Sequence, residues 1–267
     1  MTEFEYWKAT HTAPYHFPLD EAIWKQSMLE DHDSDGRLLF DCLKTEYVLG
    51  GMIQYGRTAF GFDDSGEISD QIHYPVIRDI SFDAPQVGQK LLDKAMAELG
   101  TEDRTYAFFH YFGMSACARH GKLHASQRHI HDLLLRSGFV VEHENVYYSK
   151  LLSGNAPRSD ISIVWKDETP GFCREFTASH AGQEVCWGQV HFLPQGDIAY
   201  LRWIFTDREH QHQGIGTKVM YALFQTLYDI GIQRFDTDTA LDNITAQKYY
   251  EKCGFRNAGI TRSYYTK

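Results

Sequence analysis

The chain has 267 residues, 43% hydrophobic and 23% charged, which is long for one ordinary domain, comfortable for two, and apolar enough for packed cores rather than extended disorder. Its formal net charge of −10 lacks the basic bias of a nucleic-acid binder and suits a cationic ligand better than an anionic polymer. No apolar run approaches the ~20 residues of a membrane-spanning helix, the start MTEFEYWKATHTAPYHF has no leader pattern, and five scattered cysteines without a C-x-x-C pair argue against a disulfide framework or zinc knuckle, so a cytoplasmic protein with reduced thiols and no metal is expected.

In chain order, residues 4–10 read as a strand and 19–31 as a helix. Residues 38–44, 47–55 and 71–82 read as strands, the middle ones joined by glycine-rich turns. Residues 87–99 are amphipathic, with Leu91, Leu92, Ala95, Met96 and Leu99 on one side and Gly100 at the end. A strand over 106–111 and a helix over 126–136 follow, then Gly138-Phe139, and the chain runs on to 146–150. His129 and His131 fall on different faces of that helix, and the histidines nowhere show metal-ligand spacing. The stretch 119–124 is locally basic. It is expected as a solvated loop, with a cofactor's 3′-phosphate or an acidic substrate as its alternative contact.

Residues 153–159, small and polar with one proline, read as a linker. Strands are expected over 160–166, 175–179, 185–192 and 198–205, separated by turns at 180–184 and 194–197. Val219, Leu223, Leu227 and Ile230 then recur at helical spacing, and Gly231 stands where a left-handed residue would end the helix. A short strand over 235–239, a helix over 243–253 stopped by Gly254, and closing strands over 255–265 complete the chain.

Both halves therefore show the same order of elements and similar ends. Ser137-Gly138-Phe139 parallels Cys253-Gly254-Phe255, and Val146-Tyr-Tyr-Ser-Lys150 parallels Ser263-Tyr-Tyr-Thr-Lys267. This implies a duplicated mixed α/β unit, with domains over 1–152 and 160–267.

Two blocks in the second half carry chemistry. Gln211-His212-Gln213-Gly214-Ile215-Gly216-Thr217 joins a strand to a helix. Glycines there let backbone N–H groups approach a ligand closely, and a helix start concentrates unpaired N–H groups and a positive dipole, a combination suited to phosphate. After the next strand comes Asn243-Ile-Thr-Ala246-Gln-Lys-Tyr249-Tyr250-Glu-Lys-Cys-Gly254-Phe255. Asn243 reads as a helix N-cap on its own account. Together, in this order, the blocks resemble the [QR]-x-x-G-x-[GA] and N-x-x-A-x-x-x-Y-x-x-x-G-F pair of the GCN5-related N-acetyltransferase superfamily, over roughly residues 160–267.

The resemblance implies an α/β fold of two tandem lobes, each a mostly antiparallel mixed sheet flanked by helices, with acetyl-CoA as co-substrate in the splayed strands of the second lobe. It implies that Gln211, His212, Gln213, Gly214, Ile215, Gly216 and Thr217 hold the pyrophosphate through backbone amides. Ile204, Phe205 and Thr206 would pair with pantetheine, Asn243 would contact the pantetheine arm, and Tyr250 would protonate the departing thiolate, with Tyr249 as packing. The acceptor is expected to be a small-molecule primary amine reacting by direct transfer, without nucleic acid or membrane, and an oligomer is compatible with the sequence. Relatives often place a Glu on the strand before the loop. Here that strand has no acid, which leaves the base unassigned, with Asp197, Asp238 and Glu209 as candidates by sequence proximity alone and proton loss to a water chain as the alternative. Cys186 and Cys253 lack the His/Asn setting of an acyl-cysteine nucleophile.

In the first half the corresponding loop is Ala84-Pro-Gln86-Val-Gly88, with Gln127 and Leu134 where Asn243 and Tyr250 stand, so that lobe reads as degenerate. A non-catalytic acyl-CoA-binding module and a transferase using another donor, such as aminoacyl-tRNA, are the alternatives to an N-acetyltransferase.

Overall fold

A computed structural model describes residues 2–12, 20–29, 31–32, 36–100, 103–110, 112, 121–166, 173–193 and 196–267. In chain order it contains α1 (Glu3–Thr10), α2 (Glu21–Leu29), β1 (Phe40–Val48), β2 (Gly51–Thr58), β3 (Gly61–Phe62), β4 (Ile68–Ser69), β5 (Pro75–Phe82), α3 (Pro85–Leu99), β6 (Tyr106–Ala107), β7 (Leu123–His124), α4 (Arg128–Arg136) and β8 (Phe139–Leu151). Then follow β9 (Ile161–Trp165), β10 (Cys173–His180), β11 (Gln183–Phe192), β12 (Ile198–Thr206), α5 (Ile215–Asp229), β13 (Arg234–Ala240), α6 (Ile244–Lys252) and β14 (Arg256–Thr266).

Two compact units divide the chain. The first holds the N-terminal helices, Arg37–Glu144 and the end of the chain, Gly259–Lys267; the second holds Asn145–Ala258. The division in space thus differs from a sequence division at 152 and 160, because each half gives its last strand away. Residues Asn145 to Leu151 of β8 pair antiparallel with β13 in the second unit, while Tyr264 and Tyr265 of β14 pair antiparallel with β6 in the first.

The sheets have one plan. In the first unit β1, β2 and β5 are antiparallel neighbours, β5 pairs parallel with β6, and β14 closes the order. In the second, β9, β10, β11 and β12 are antiparallel, β12 pairs parallel with β13, and β8 closes the order. The fold is accordingly mixed α/β, with helices flanking mixed sheets. Among the described residues no helix is long and apolar enough to cross a membrane.

The second unit's core explains its elements. Val219, Leu223 and Leu227 of α5 are wholly buried with Ala199, Leu201 and Phe235 of the sheet. Gly231 (φ 96°) and Gly254 (φ 85°) take the left-handed conformation that ends α5 and α6, with Ile232 N–H bonded to the Leu227 carbonyl and Phe255 N–H to that of Tyr250. In the first unit Leu91, Leu92, Ala95 and Leu99 of α3 are buried as the periodicity predicts.

Several first-half expectations fail. Residues 4–10 form α1, not a strand: Thr2 and Glu5 make a reciprocal capping box, Glu5 N–H donating to Thr2 Oγ1 at 3.2 Å and Thr2 N–H to Glu5 Oε2 at 2.7 Å. The first hairpin turns at Leu49 and Gly50 (φ 80°), so β1 runs through Val48 rather than ending at Lys44. The strand expected from residue 71 starts at Pro75, and that over 106–111 stops at Ala107, because Phe108 has φ 52°; Tyr111 lies outside the described residues. Of the basic stretch 119–124, Arg119 and His120 also lie outside them. Lys122 and His124 are buried, contrary to a solvated loop. Pro194 and Gln195 of one expected turn, and Cys117, are likewise outside.

Candidate active site

The cleft follows from where two strands stop pairing. β12 and β13 are in register from Ile198–Arg234 to Leu201–Thr237. Beyond that, β12 stays with β11 through Thr206, and β13 stays with β8 through Ala240. The β12 ladder shifts register after Leu201: Leu201 faces Val190 and Trp203 faces Gln189, leaving Arg202 as the extra residue. A bulge of this kind bends its strand and strengthens the local twist. Past it, Ile204, Phe205 and Thr206 keep only β11 as a partner and turn their other backbone edge to a cleft of about 910 Å³. That volume lies in the range of ligand clefts, ~300–1,000 Å³.

The helix-side wall is the glycine loop. Asp207 starts a short 3₁₀ turn over Arg208–His210 by accepting from Glu209 N–H. Gln211 and Gln213 fasten the loop by donating from Nε2 to the carbonyls of Thr206 (2.9 Å) and Glu209 (2.6 Å). His212 (φ 60°) and Gly214 (φ 79°) then turn the chain through the left-handed region. Gly214 is the N-cap of α5, and no side chain caps that end. The first-turn N–H groups of Ile215, Gly216 and Thr217 therefore lack intrahelical carbonyls, as at any helix start. A Cβ on Gly214 would meet no protein atom within 4 Å, so the space above the loop is open. Gln211, His212, Gly214, Gly216 and Thr217 line the cleft, whereas Gln213 does not and Ile215 is buried in the core. This loop fits a pyrophosphate: open space, a helix N-terminus and uncapped donors coincide.

Opposite stands α6. Asn243 caps it, Oδ1 accepting from Ala246 N–H at 3.1 Å, and also lines the cleft. Tyr250 is buried, 7% exposed, and lines the cleft among Tyr148, Tyr249 and Phe255. Burial pushes its phenol above the ordinary value; the Thr237 hydroxyl pulls the other way and the charge of Asp238 adds to the rise. Tyr249 does more than pack. Its hydroxyl donates to the Gly216 carbonyl at 2.7 Å and so ties α6 to the first turn of α5. Tyr249→Phe is expected to lower stability by about 1 kcal/mol, the net worth of one hydrogen bond, which melting curves measure.

The other sheet face carries a different set. Ala199, Leu201 and Phe235 point into the core beneath α5 and α6, so Tyr200, Asp236 and Asp238, alternating with them, point away. Asp238 lines the cleft. Its Oδ1 accepts from Tyr200 Oη at 2.8 Å and its Oδ2 from Asn145 Nδ2 at 2.8 Å. Asp236, wholly buried beside it, is held by Tyr147 Oη (2.7 Å) and Arg234 (2.7 Å). Of the three acids offered by sequence proximity, Asp238 alone lines the cleft; Asp197 lies at the far end of β12 and Glu209 on the exposed 3₁₀ turn. Trp187, Trp203 and Phe205 expose their rings on this same face, 38%, 38% and 41% exposed. Burial pushes the thiols of Cys186 and Cys253 up to about 11, which keeps them protonated and unsuited to nucleophilic work.

The matching helix of the first unit begins otherwise. α3 has Pro85 in its first turn, and a Cβ at Gly88 would lie 2.4 Å from the Phe82 ring, so that glycine serves close packing. Leu134, where Tyr250 stands in the second unit, is wholly buried. Among the described residues no group of three or more His, Cys, Asp or Glu is placed to hold a metal ion.

Residues 132–255 match the model of the acetyltransferase (GNAT) family, a span that takes in β12, the glycine loop, α5, β13 and α6. No curated protein sequence matches the chain. Among solved structures, the glucosamine N-acetyltransferase region of a fungal multi-domain β-N-acetylglucosaminidase is similar at TM-score 0.60 and 10% identity, over 98% of this chain and 36% of that one. A GNAT-family acetyltransferase from Colwellia psychrerythraea is similar at TM-score 0.55 and 14% identity, over 98% and 92%. A tandem GNAT protein of the clavulanic acid biosynthesis pathway is similar at TM-score 0.55 and 13% identity, over 88% and 80%. At such identities the likeness is one of fold. The match over residues 132–255 and the fold shared with these structures place a GNAT-type domain in this chain.

Proposed function

We propose that the second unit transfers an acetyl group from acetyl-CoA to a primary amine by direct attack. One observation carries this reading: the cleft between β12 and β13 has an uncapped helix start and a protonated buried phenol on the helix side, and a fixed carboxylate on the other. Bound acetyl-CoA supplies the acyl group and a thiolate leaving group. The backbone N–H groups of 215–217 bind the pyrophosphate, the free edge of Ile204, Phe205 and Thr206 aligns the pantetheine arm, and Asn243 holds its flank.

Asp238 takes a proton from the incoming ammonium. Tyr200 and Asn145 hold its two oxygens in place at the cleft, one on each. The neutral nitrogen attacks the thioester carbonyl, the C–S bond breaks, and Tyr250 gives its proton to sulfur. The amide nitrogen loses its second proton to solvent. The acceptor is a small cationic amine that approaches on the face of Asp238, Trp187, Trp203 and Phe205, in the cytoplasm and without nucleic acid or membrane. The first unit does not catalyse the reaction.

Calorimetric titration of acetyl-CoA into the protein, followed by an amine panel assayed for free thiol, tests the reading. Binding and turnover support it. Binding without turnover on any amine leaves a CoA-binding module, and no binding overturns the donor. Asp238→Asn is expected to lower kcat/KM at neutral pH about 100-fold, with acetyl-CoA affinity unchanged; wild-type turnover by this variant clears Asp238 of the role.

A further inference from the structure

Two lysines on the cleft wall have no part in the chemistry above. On α6, Thr245, Lys248, Tyr249 and Lys252 all line the cleft. Spaced i, i+3, i+4 and i+7, they form one stripe of the helix, which Tyr249 ties to Gly216 of the glycine loop. Neither Lys248 nor Lys252 forms an ion pair with a described carboxylate, whereas Lys25, Lys44, Lys94, Lys166 and Lys218 each do. In a chain of net charge −10, two unmatched ammonium groups turned to one cleft bias its outer end toward an anion. Lys252 also borders a second cavity of about 250 Å³, lined by Lys150, Pro157, Tyr221 and Phe224 among others. The two hollows therefore adjoin at this lysine, and the smaller has aromatic and prolyl walls suited to a flat heterocycle.

From this placement, and resting on the CoA reading of the cleft, we infer that Lys248 and Lys252 bind the 3′-phosphate of CoA, with the adenine directed to the smaller cavity. The consequence is donor selection. An acyl group tethered to a carrier protein through phosphopantetheine has neither 3′-phosphate nor adenosine, so this rim selects the free CoA thioester. The locally basic stretch at 119–124 is not needed for that contact.

The test compares CoA with 3′-dephospho-CoA by calorimetry at low and moderate salt, on wild type and on Lys248→Gln/Lys252→Gln. Exposed charge pairs are individually modest, so wild type is expected to bind CoA about tenfold more tightly than dephospho-CoA, the preference shrinking with salt. The double variant is expected to lose that preference while binding dephospho-CoA as wild type does. Equal affinity of wild type for both ligands, or an equal loss for both in the variant, overturns the assignment. Failure of wild type to bind either would sink the CoA reading itself. Circular dichroism of the variant guards against misfolding, and Lys248→Arg/Lys252→Arg should restore the preference.

Discussion

Tyr250→Phe is expected to lower kcat by about 100- to 1,000-fold while leaving acetyl-CoA affinity within about twofold, because a positioned proton donor contributes on that scale and the substitution removes one oxygen. The ring itself stays packed among Tyr148, Tyr249 and Phe255, so the melting temperature should hardly move. The acid role suits the group's environment. Burial raises its pKa above the usual 10, so the phenol is fully protonated wherever the amine substrate reacts. The same shift has a stability consequence of defined sign. Above pH 10 the unfolded phenol ionises while the folded one holds its proton, so the folded state loses stability as pH climbs toward the raised folded value. In Tyr250→Phe that contribution to alkaline destabilisation is absent. Two readouts thus separate: steady-state turnover with acetyl-CoA titration reports the acid, and melting above pH 10 reports the buried phenol. Normal turnover by the variant would pass the proton-donor role to water.

What the sequence makes legible is what is local in it. The loop from Gln211 to Thr217 and the block from Asn243 to Phe255 are each contiguous, and their geometry follows from short-range rules: glycine in a left-handed turn at 214, an Asn cap at 243, glycine stops at 231 and 254. The periodicity of α5 and α3 is local as well. The strand exchange is not. Nothing within the closing segments 146–150 and 263–267, which look so alike, says that each pairs in the other unit, because pairing partners depend on register across more than 80 residues. Asp238 was one of three acids while only chain distance ranked them; the pairing of Tyr200 and Asn145 onto its carboxylate depends on β12, β13 and β8 lying side by side. The bulge at Arg202, which starts the splay, has no sequence signature of its own. The missed α1 is a different failure, since its capping box, Thr2-x-x-Glu5, is plain in the sequence. Tyr249 looked like packing because its partner is a backbone carbonyl 33 residues away.

Gly214→Val is expected to weaken acetyl-CoA binding at least 100-fold, about 2.7 kcal/mol, while the fold persists. Two effects combine. A β-branched residue at φ 79° is strained by roughly 1–3 kcal/mol, and the loop relieves this only by turning the N–H groups of 215–217 away from their common focus. The new side chain also enters the open space above the loop, where it meets no protein atom and therefore stands where the ligand must lie. Because the protein is not crowded there, the stability loss should be limited to the backbone strain. Gly231→Val supplies the matched control. Gly231 also has positive φ and open space around its missing Cβ, but sits at the other end of α5, about 22 Å away for a 15-residue helix. It should be destabilised to a similar degree and bind acetyl-CoA like wild type. Loss of binding in both variants would make the effect one of general destabilisation. Retained binding in Gly214→Val would mean that the glycine loop does not hold the pyrophosphate.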